Sequence, residues 1–397
     1  MNNPDLLQNT PNTRECIPVA KGVKALARFF EAQQWTAYFL GMLAFLFGAL
    51  LYFSVSGMLR NGTSTAAAGS DPGVVLLGIS IAGFVLVAGL LYLLYKRSAN
   101  LPAKEQMQYY RLGNVTPLTA AQARALRLHI VEMYHGGFWL KTLEYYPCDI
   151  RVNNPKFKPT SFYVANRSNY KQGLNEDWGV VSKAQYDNMV EELFDGMHAK
   201  LFALDMDYSL NYKLYVRGST PEDLRSIENQ NANFINRLAG LIDKPAAYVN
   251  ACFEEPPNKP KLLVWGFDLW RVIPMSREAF MAGYIAETDA WTNILRASDL
   301  IYYLFDNFES FYDNLRLGNA YWSNDLKVTT KRHEMWELYD QECDWPQRNL
   351  RWTVEQMPEI SDGMRTGFAQ YIRQKNKSHN EVGFRFSDKR EGDEERG

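Results

Sequence analysis

The chain has no paired cysteines. Its four, Cys16, Cys148, Cys252 and Cys343, stand singly without a C-x-x-C. That excludes a zinc knuckle or a dithiol redox pair and reads as reduced thiols in the cytosol. It has no basic excess: 43 Lys and Arg against 45 Asp and Glu leave a formal charge of −2, so nucleic acid is not an expected partner. Neither G-x-x-x-x-G-K-[ST] nor G-x-G-x-x-G is present, so the common phosphate and dinucleotide cradles are missing. No G-x-S-x-G elbow occurs either. "DMDYSLN" at Asp205 begins as a calcium loop does but lacks its Gly and distal Glu, and reads as a solvated turn. No 20–50-residue repeat is visible. These absences imply no cofactor and no metal.

Charge is also missing from two long runs, and here the absence is informative. Thr36–Leu59 and Gly73–Tyr95 contain no Asp, Glu, Lys, Arg or His. Each exceeds the roughly 20 residues that cross about 30 Å of hydrocarbon. Arg14, Lys21, Lys24 and Arg28 precede the first run, and Lys96, Arg97, Lys104 and Arg111 follow the second. The connector carries only Arg60. Positive charge marks the cytoplasmic side, so both termini are expected inside, with a short outer turn. Spans without ionisable groups suit an anchor, not an ion path. Ala44 with Gly48, and Gly78 with Ala82, have the four-residue spacing that lets helices approach closely. That approach is expected within the hairpin; contact with copies of the chain stays open as a route to a homo-oligomer.

The rest reads as mainly α. The organisation expected is an N-terminal cytoplasmic segment (1–34), a transmembrane hairpin (35–96; spans 36–59 and 73–95), a connector (97–118), a mostly helical cytosolic domain (119–345) and a C-terminal extension with a charged tail (346–397). Thr119 with Gln122 and Ser182 with Gln185 have capping-box spacing, and Thr220 precedes Pro221 and two acids. Apolar residues from Tyr186 to Leu201 recur at intervals of three and four and predict one helix of about five turns. A second stripe runs from Leu224 to Leu241. Further helices are predicted from Ser276 to about Gly283, Glu287 to about Phe305 and Phe308 to about Trp322. Strand signals are limited to "FKPTSFYVAN" and "YSLNYKLYVRG", which could form at most a small β-hairpin.

Three stretches carry a family resemblance: "LNEDWGVVSKAQYDNMVEELFDGMHAKLF", "FDLWRVIPMSREAFMAGYIAETDAW" and "DNFESFYDNLRLGNAYW". Their order and spacing resemble the bacterial domain-of-unknown-function family 1266, over residues 130–330. Trp178-Gly179, His198, Asp268, Arg271, Gly283-Tyr284-Ile285, Ala290-Trp291, Gly318 and Trp322 match its pattern. Met197 stands where Gly is usual, and Leu315 and Asn319 replace Tyr and Arg. The resemblance implies a fold and no reaction. Together with the spans it implies a multi-pass protein of a bacterial inner membrane.

The residues leave two functional readings. In the first, the cytosolic domain binds a protein partner, as an adaptor, a regulator or a neutraliser of a toxin. Trp178, Tyr284, Glu287, Asp289, Trp291 and Trp322 are the candidate binding residues, because aromatic side chains dominate interfaces. In the second, a membrane-associated hydrolase uses His198, Asp268 and Arg271. Asp268 and Arg271, three apart on a helix, can pair directly as a structural clasp. Alternatively the acid aims the guanidinium at an anion. Arg271 could also reach Glu287 or Asp289. His129 and His135 are six apart, the wrong spacing for a zinc helix, and "HGGFW" at His135 resembles an oxyanion loop without a nucleophile to serve.

Overall fold

A computed structural model describes residues 34–61, 72–129, 142–144, 147–159, 164–216, 219–342, 351–354 and 357–379. The basic residues before the first span, the "HGGFW" stretch, Cys16, Cys343 and the end of the tail lie outside them. The chain divides into two compact units, Pro11–Thr116 with Arg151–Val164, and Pro117–Ile150 with Ala165–Gly397, to which Met1–Thr10 is assigned.

The smaller unit contains two helices, α1 (Gln34–Asn61) and α2 (Pro72–Leu112). Their apolar stretches, Tyr38–Gly57 and Gly73–Leu94, are only 11% and 17% buried. A helix pair at the heart of a soluble protein would be covered by other chain; these present Phe45, Phe53, Val85 and Leu93 outward. Apolar and uncovered, they are long and apolar enough to cross a membrane. Leu40 and Ser54 on α1 and Ser80, Gly83 and Val87 on α2 form the buried seam. Both serines are satisfied locally, Ser54 Oγ donating to the Leu50 carbonyl at 2.7 Å and Ser80 Oγ to that of Leu76 at 2.8 Å, as hydroxyls in hydrocarbon must be. The close approach differs from the expected one. A Cβ on Gly78 would meet nothing within 4 Å, whereas one on Gly83 would fall 2.2 Å from the Phe47 ring. A ring filling the notch above one glycine replaces small residues on both sides. Beyond the apolar stretch α2 continues unbroken to Leu112, and the ring of buried Tyr109 lies 6.0 Å from that of Phe157.

Among its described residues the regular elements of the larger unit are helices, apart from one isolated bridge between Cys148 and Ala165. α3 (Ala120–Arg127) opens with the reciprocal Thr119–Gln122 box. α4 (Arg167–Trp178) ends at Gly179 in a left-handed conformation. α5 (Lys183–Phe194) is capped by Ser182, although the Gln185 side chain accepts from Val181, one residue earlier than a capping box requires. α6 (Met197–Asn211) follows after a break. α7 (Pro221–Leu241) starts from Thr220 with Asp223 returning the bond. α8 (Ala246–Phe253), α9 (Trp265–Met281), α10 (Glu287–Leu304), α11 (Phe308–Ser323), α12 (Leu326–Glu342), α13 (Asp362–Thr366) and α14 (Ala369–His379) complete the order.

Two expectations are corrected. The five-turn helix is two helices, because Gly196 at φ +77° turns the chain. A Cβ there would lie 2.6 Å from the Trp265 indole, so the glycine serves both the turn and the packing. The hairpin does not form in the described residues either. "YSLN" finishes α6 and "YKL" is a 3-10 turn. Tyr208, Tyr212 and Tyr215 are spaced four and three apart, a helical interval that a short window misreads as alternation.

α9 is the axis of this unit and packs against α4, α5, α6, α10 and α11. It starts eleven residues earlier than Ser276 suggested and runs through Pro274. Every residue in it is buried except Arg271 and Glu278. α9 and α11 cross through two glycines, Gly266 and Gly318; a Cβ on Gly318 would sit 2.2 Å from Phe267 Cβ. Asn314 fastens the crossing: its Oδ1 accepts from the Gly266 amide at 2.8 Å and its Nδ2 donates to the Leu263 carbonyl at 2.8 Å.

Candidate functional site

The break at Gly196 decides where the site forms. A helix beginning at Met197 presents unpaired amides at its first turn, and Gly196 offers no side chain to cap them. The cap comes instead from α9. Asp268, fully buried, accepts from the His198 amide at 2.9 Å and from the Ala199 amide at 2.8 Å, both through Oδ2. Its Oδ1 lies 2.6 Å from His198 Nδ1. The carboxylate thus meets three donors and the positive end of a helix dipole, which is how a buried charge is tolerated.

Arg271 lies on the other side of the imidazole, with Nη1 3.3 Å from His198 Nε2. A guanidinium can only donate, so Nε2 accepts and the ring proton sits on Nδ1, directed at Asp268. The expected Asp268–Arg271 clasp is therefore not direct: Asp268 turns to the start of α6, and His198 stands between acid and base. The guanidinium carbon lies 4.1 Å from the centre of the Trp178 ring, 5.1 Å from Phe267 and 5.6 Å from Trp322, all within cation–π range. His198 itself meets Phe267 edge-on at 5.1 Å. Trp178 comes from the end of α4 and is half-buried; Trp322, from the end of α11, is 55% exposed. Four helices deliver one group: a buried acid, a nearly buried imidazole and a half-buried cation between aromatic faces.

Five sequence candidates, His198, Asp268, Arg271, Trp178 and Trp322, come together. Phe267 joins them and was missed, since an aromatic in an apolar run gives no signal beyond core packing. The other candidates have contacts of their own at the start of α10. Lys183 reaches Asp289 at 3.2 Å, Glu287 accepts from Trp291 Nε1 at 3.5 Å, Trp291 is buried, and Lys171 lies 5.5 Å from the Tyr284 ring centre.

A second polar group inside the unit also went unread. Arg277 is fully buried, its Nε donating to the Leu143 carbonyl at 2.7 Å and its Nη1 to His129 Nδ1 at 3.0 Å. Burial, and then the Arg277 charge, hold the His129 pKa well below the ordinary 6.5. The folded chain therefore refuses a proton that the unfolded chain accepts below about pH 6.5, so this contribution is full above that pH and is lost as pH falls. The thermal midpoint, followed by tryptophan fluorescence, will drop between pH 7 and pH 5, and drop less steeply in His129→Asn. Equal slopes would show that His129 plays no part. Cys148 and Cys252 are buried, and burial pushes the Cys252 thiol up to about 11, so it is held as an unreactive thiol. Among the described residues, no group of three or more His, Cys, Asp or Glu could hold a metal ion.

Residues 173–352 match the model of a family described as "Protein of unknown function (DUF1266)". The match bears out the resemblance read from the motifs, over a span displaced toward the C-terminus, and it contains all six residues of the site. The chain is 26% identical over 330 residues to "Inner membrane protein YnjI" of Escherichia coli (strain K12), covering 78% of this chain and 87% of that protein. No solved structure matches.

Proposed function

We propose that this is a two-span protein of a bacterial inner membrane, with both termini in the cytoplasm, whose helical domain binds a protein partner. The observation that carries the binding reading is Arg271. It is one of two residues of α9 that are not buried, and it sits among Trp178, Phe267 and exposed Trp322. Trp and Arg are the residues in which binding energy concentrates at interfaces, and here the ends of α4 and α11 bring Trp178 and Trp322 to Arg271 on α9. The basic flanks and the inner-membrane relative support the topology.

A hydrolase is the second reading, favoured by the 2.6 Å His198–Asp268 contact. An acid on Nδ1 fixes the tautomer that leaves Nε2 as a base. Against it, Nε2 already receives Arg271, and Asp268 is needed to cap α6.

Photocrosslinking in living cells tests the binding reading. A benzophenone amino acid placed in turn at the exposed positions Val181, Leu214, Trp322 and Met357 of the full chain will give a discrete protein adduct from at least one of them. Failure at all four would sink the reading. Protease added to spheroplasts will leave the larger unit intact; its digestion from outside would reverse the topology.

A further inference from the structure

The Gly196 turn is roofed by two rings, and one of them comes from far along the chain. A Cβ on Gly196 would lie 2.6 Å from the Trp265 indole and 2.7 Å from the Phe368 ring. Phe368 stacks on Trp265, with ring centres 5.6 Å apart and planes 23° from parallel. It stands between α13 and α14, beyond residue 352, where the match to the family model ends. The backbone is bent to deliver the ring. Gly367 and Phe368 are consecutive left-handed residues, at φ +55° and +61°. A bulky side chain rarely takes that conformation, which persists only where surrounding contacts enforce it. A Cβ on Gly363 would run into the same ring, so α13 also makes room for it. Few contacts hold the segment. Among its described residues, Met364, Phe368 and Ile372 are the buried apolar side chains. α14 packs on α6, where Lys200 Nζ lies 5.5 Å from the Tyr371 ring centre. A strained, thinly held segment is the kind that opens at less than the free energy of global unfolding.

We infer that residues 361–372 form a C-terminal strap that opens and closes as a unit, and that Phe368, when the strap is closed, holds the Gly196 turn so that the first-turn amides of α6 stay on Asp268. Those amides, of His198 and Ala199, donate to Asp268 Oδ2 at 2.9 and 2.8 Å, two and three residues past the glycine that the ring covers. Phe368 is therefore a positioning residue, acting on His198 and Ala199 through the turn. Opening uncovers the Trp265 face and loosens the corner of the site at which α6 meets α9. The strap goes beyond both functional readings and serves either, since it lets the end of the chain set the state of the site.

Hydrogen exchange read by mass spectrometry on the full chain in detergent micelles tests this. In the wild-type chain, peptides from 361–372 and from 197–203 will exchange through one shared opening. Their dependence on added urea will be equal, and shallower than that of the α9–α11 crossing. Phe368→Ala will speed exchange in both segments about tenfold or more, as for a truncated buried ring, and leave the crossing unchanged. Gln370→Ala, at an exposed position of α14, will change neither segment. Faster exchange in 361–372 alone shows a strap that does not reach the turn and overturns the inference. Equal acceleration across the crossing shows ordinary core packing and also overturns it, as does no change in a folded variant. Where Phe368→Ala does not fold, the urea dependence of the wild-type chain decides. Exchange of 361–372 only together with the whole unit, or with a slope different from that of 197–203, overturns the inference.

Discussion

Asp268→Asn will lower the thermal midpoint of the larger unit by about 10 °C or more, corresponding to roughly 3–5 kcal/mol lost at a buried, paired charge. The reason lies in the donor count. Asp268 faces two backbone amides and His198 Nδ1, all of which donate. An asparagine oxygen can serve only part of this set, and its NH2 is forced against a donor. The first turn of α6 then loses its cap and the favourable charge at its dipole. His198→Gln removes only the side-chain contact and will cost much less. Nine of the ten tryptophans lie after residue 130, so intrinsic fluorescence follows this unit and not the anchor. A normal midpoint in Asp268→Asn, with function lost, would move the acid from frame to chemistry.

Gly318→Val will destabilise the same unit by roughly 1–3 kcal/mol, or about 3–10 °C, with more if the helices part. A Cβ at 318 would lie 2.2 Å from Phe267 Cβ and 3.2 Å from Val264 Cβ. Neither atom can swing aside, because each Cβ is fixed to the backbone, Phe267 within α9 and Val264 at its N-cap. α11 must therefore move, and Asn314, one turn earlier, would drag its bonds to Leu263 and Gly266. Gly173→Ala is the contrasting case. It is mid-helix, meets nothing within 4 Å, and will stabilise by about 0.5–1 kcal/mol because alanine has less backbone freedom to lose. If both substitutions behave alike, the α9–α11 crossing is not as close as described.

The sequence was legible wherever a local pattern determines structure. Helices were expected from Glu287 and Phe308, and α10 and α11 begin at those residues. Thr220-Pro221 likewise carries its own start signal. What failed needed a neighbour distant in sequence. The break at Gly196 is invisible in a continuous stripe until Trp265 occupies the turn. The start of α9 was placed late because Trp265 to Ile273 is apolar apart from Asp268 and Arg271 and carries no N-cap side chain to announce a helix start. The structure brings His198, Asp268 and Arg271 together, but spacing alone paired Asp268 with Arg271. The amides of α6 lie 70 residues away in sequence, and nothing local announces them.

The strand-like bridge at Cys148 and Ala165 has a practical consequence. It closes a short excursion, residues 151–164, which leaves one unit, joins the other and returns. Severing the chain near residue 117 to obtain a soluble fragment would therefore not make a clean separation. The fragment would carry that flap away from Tyr109 and bare the face of Phe157 to water, a built-in reason for such a fragment to clump.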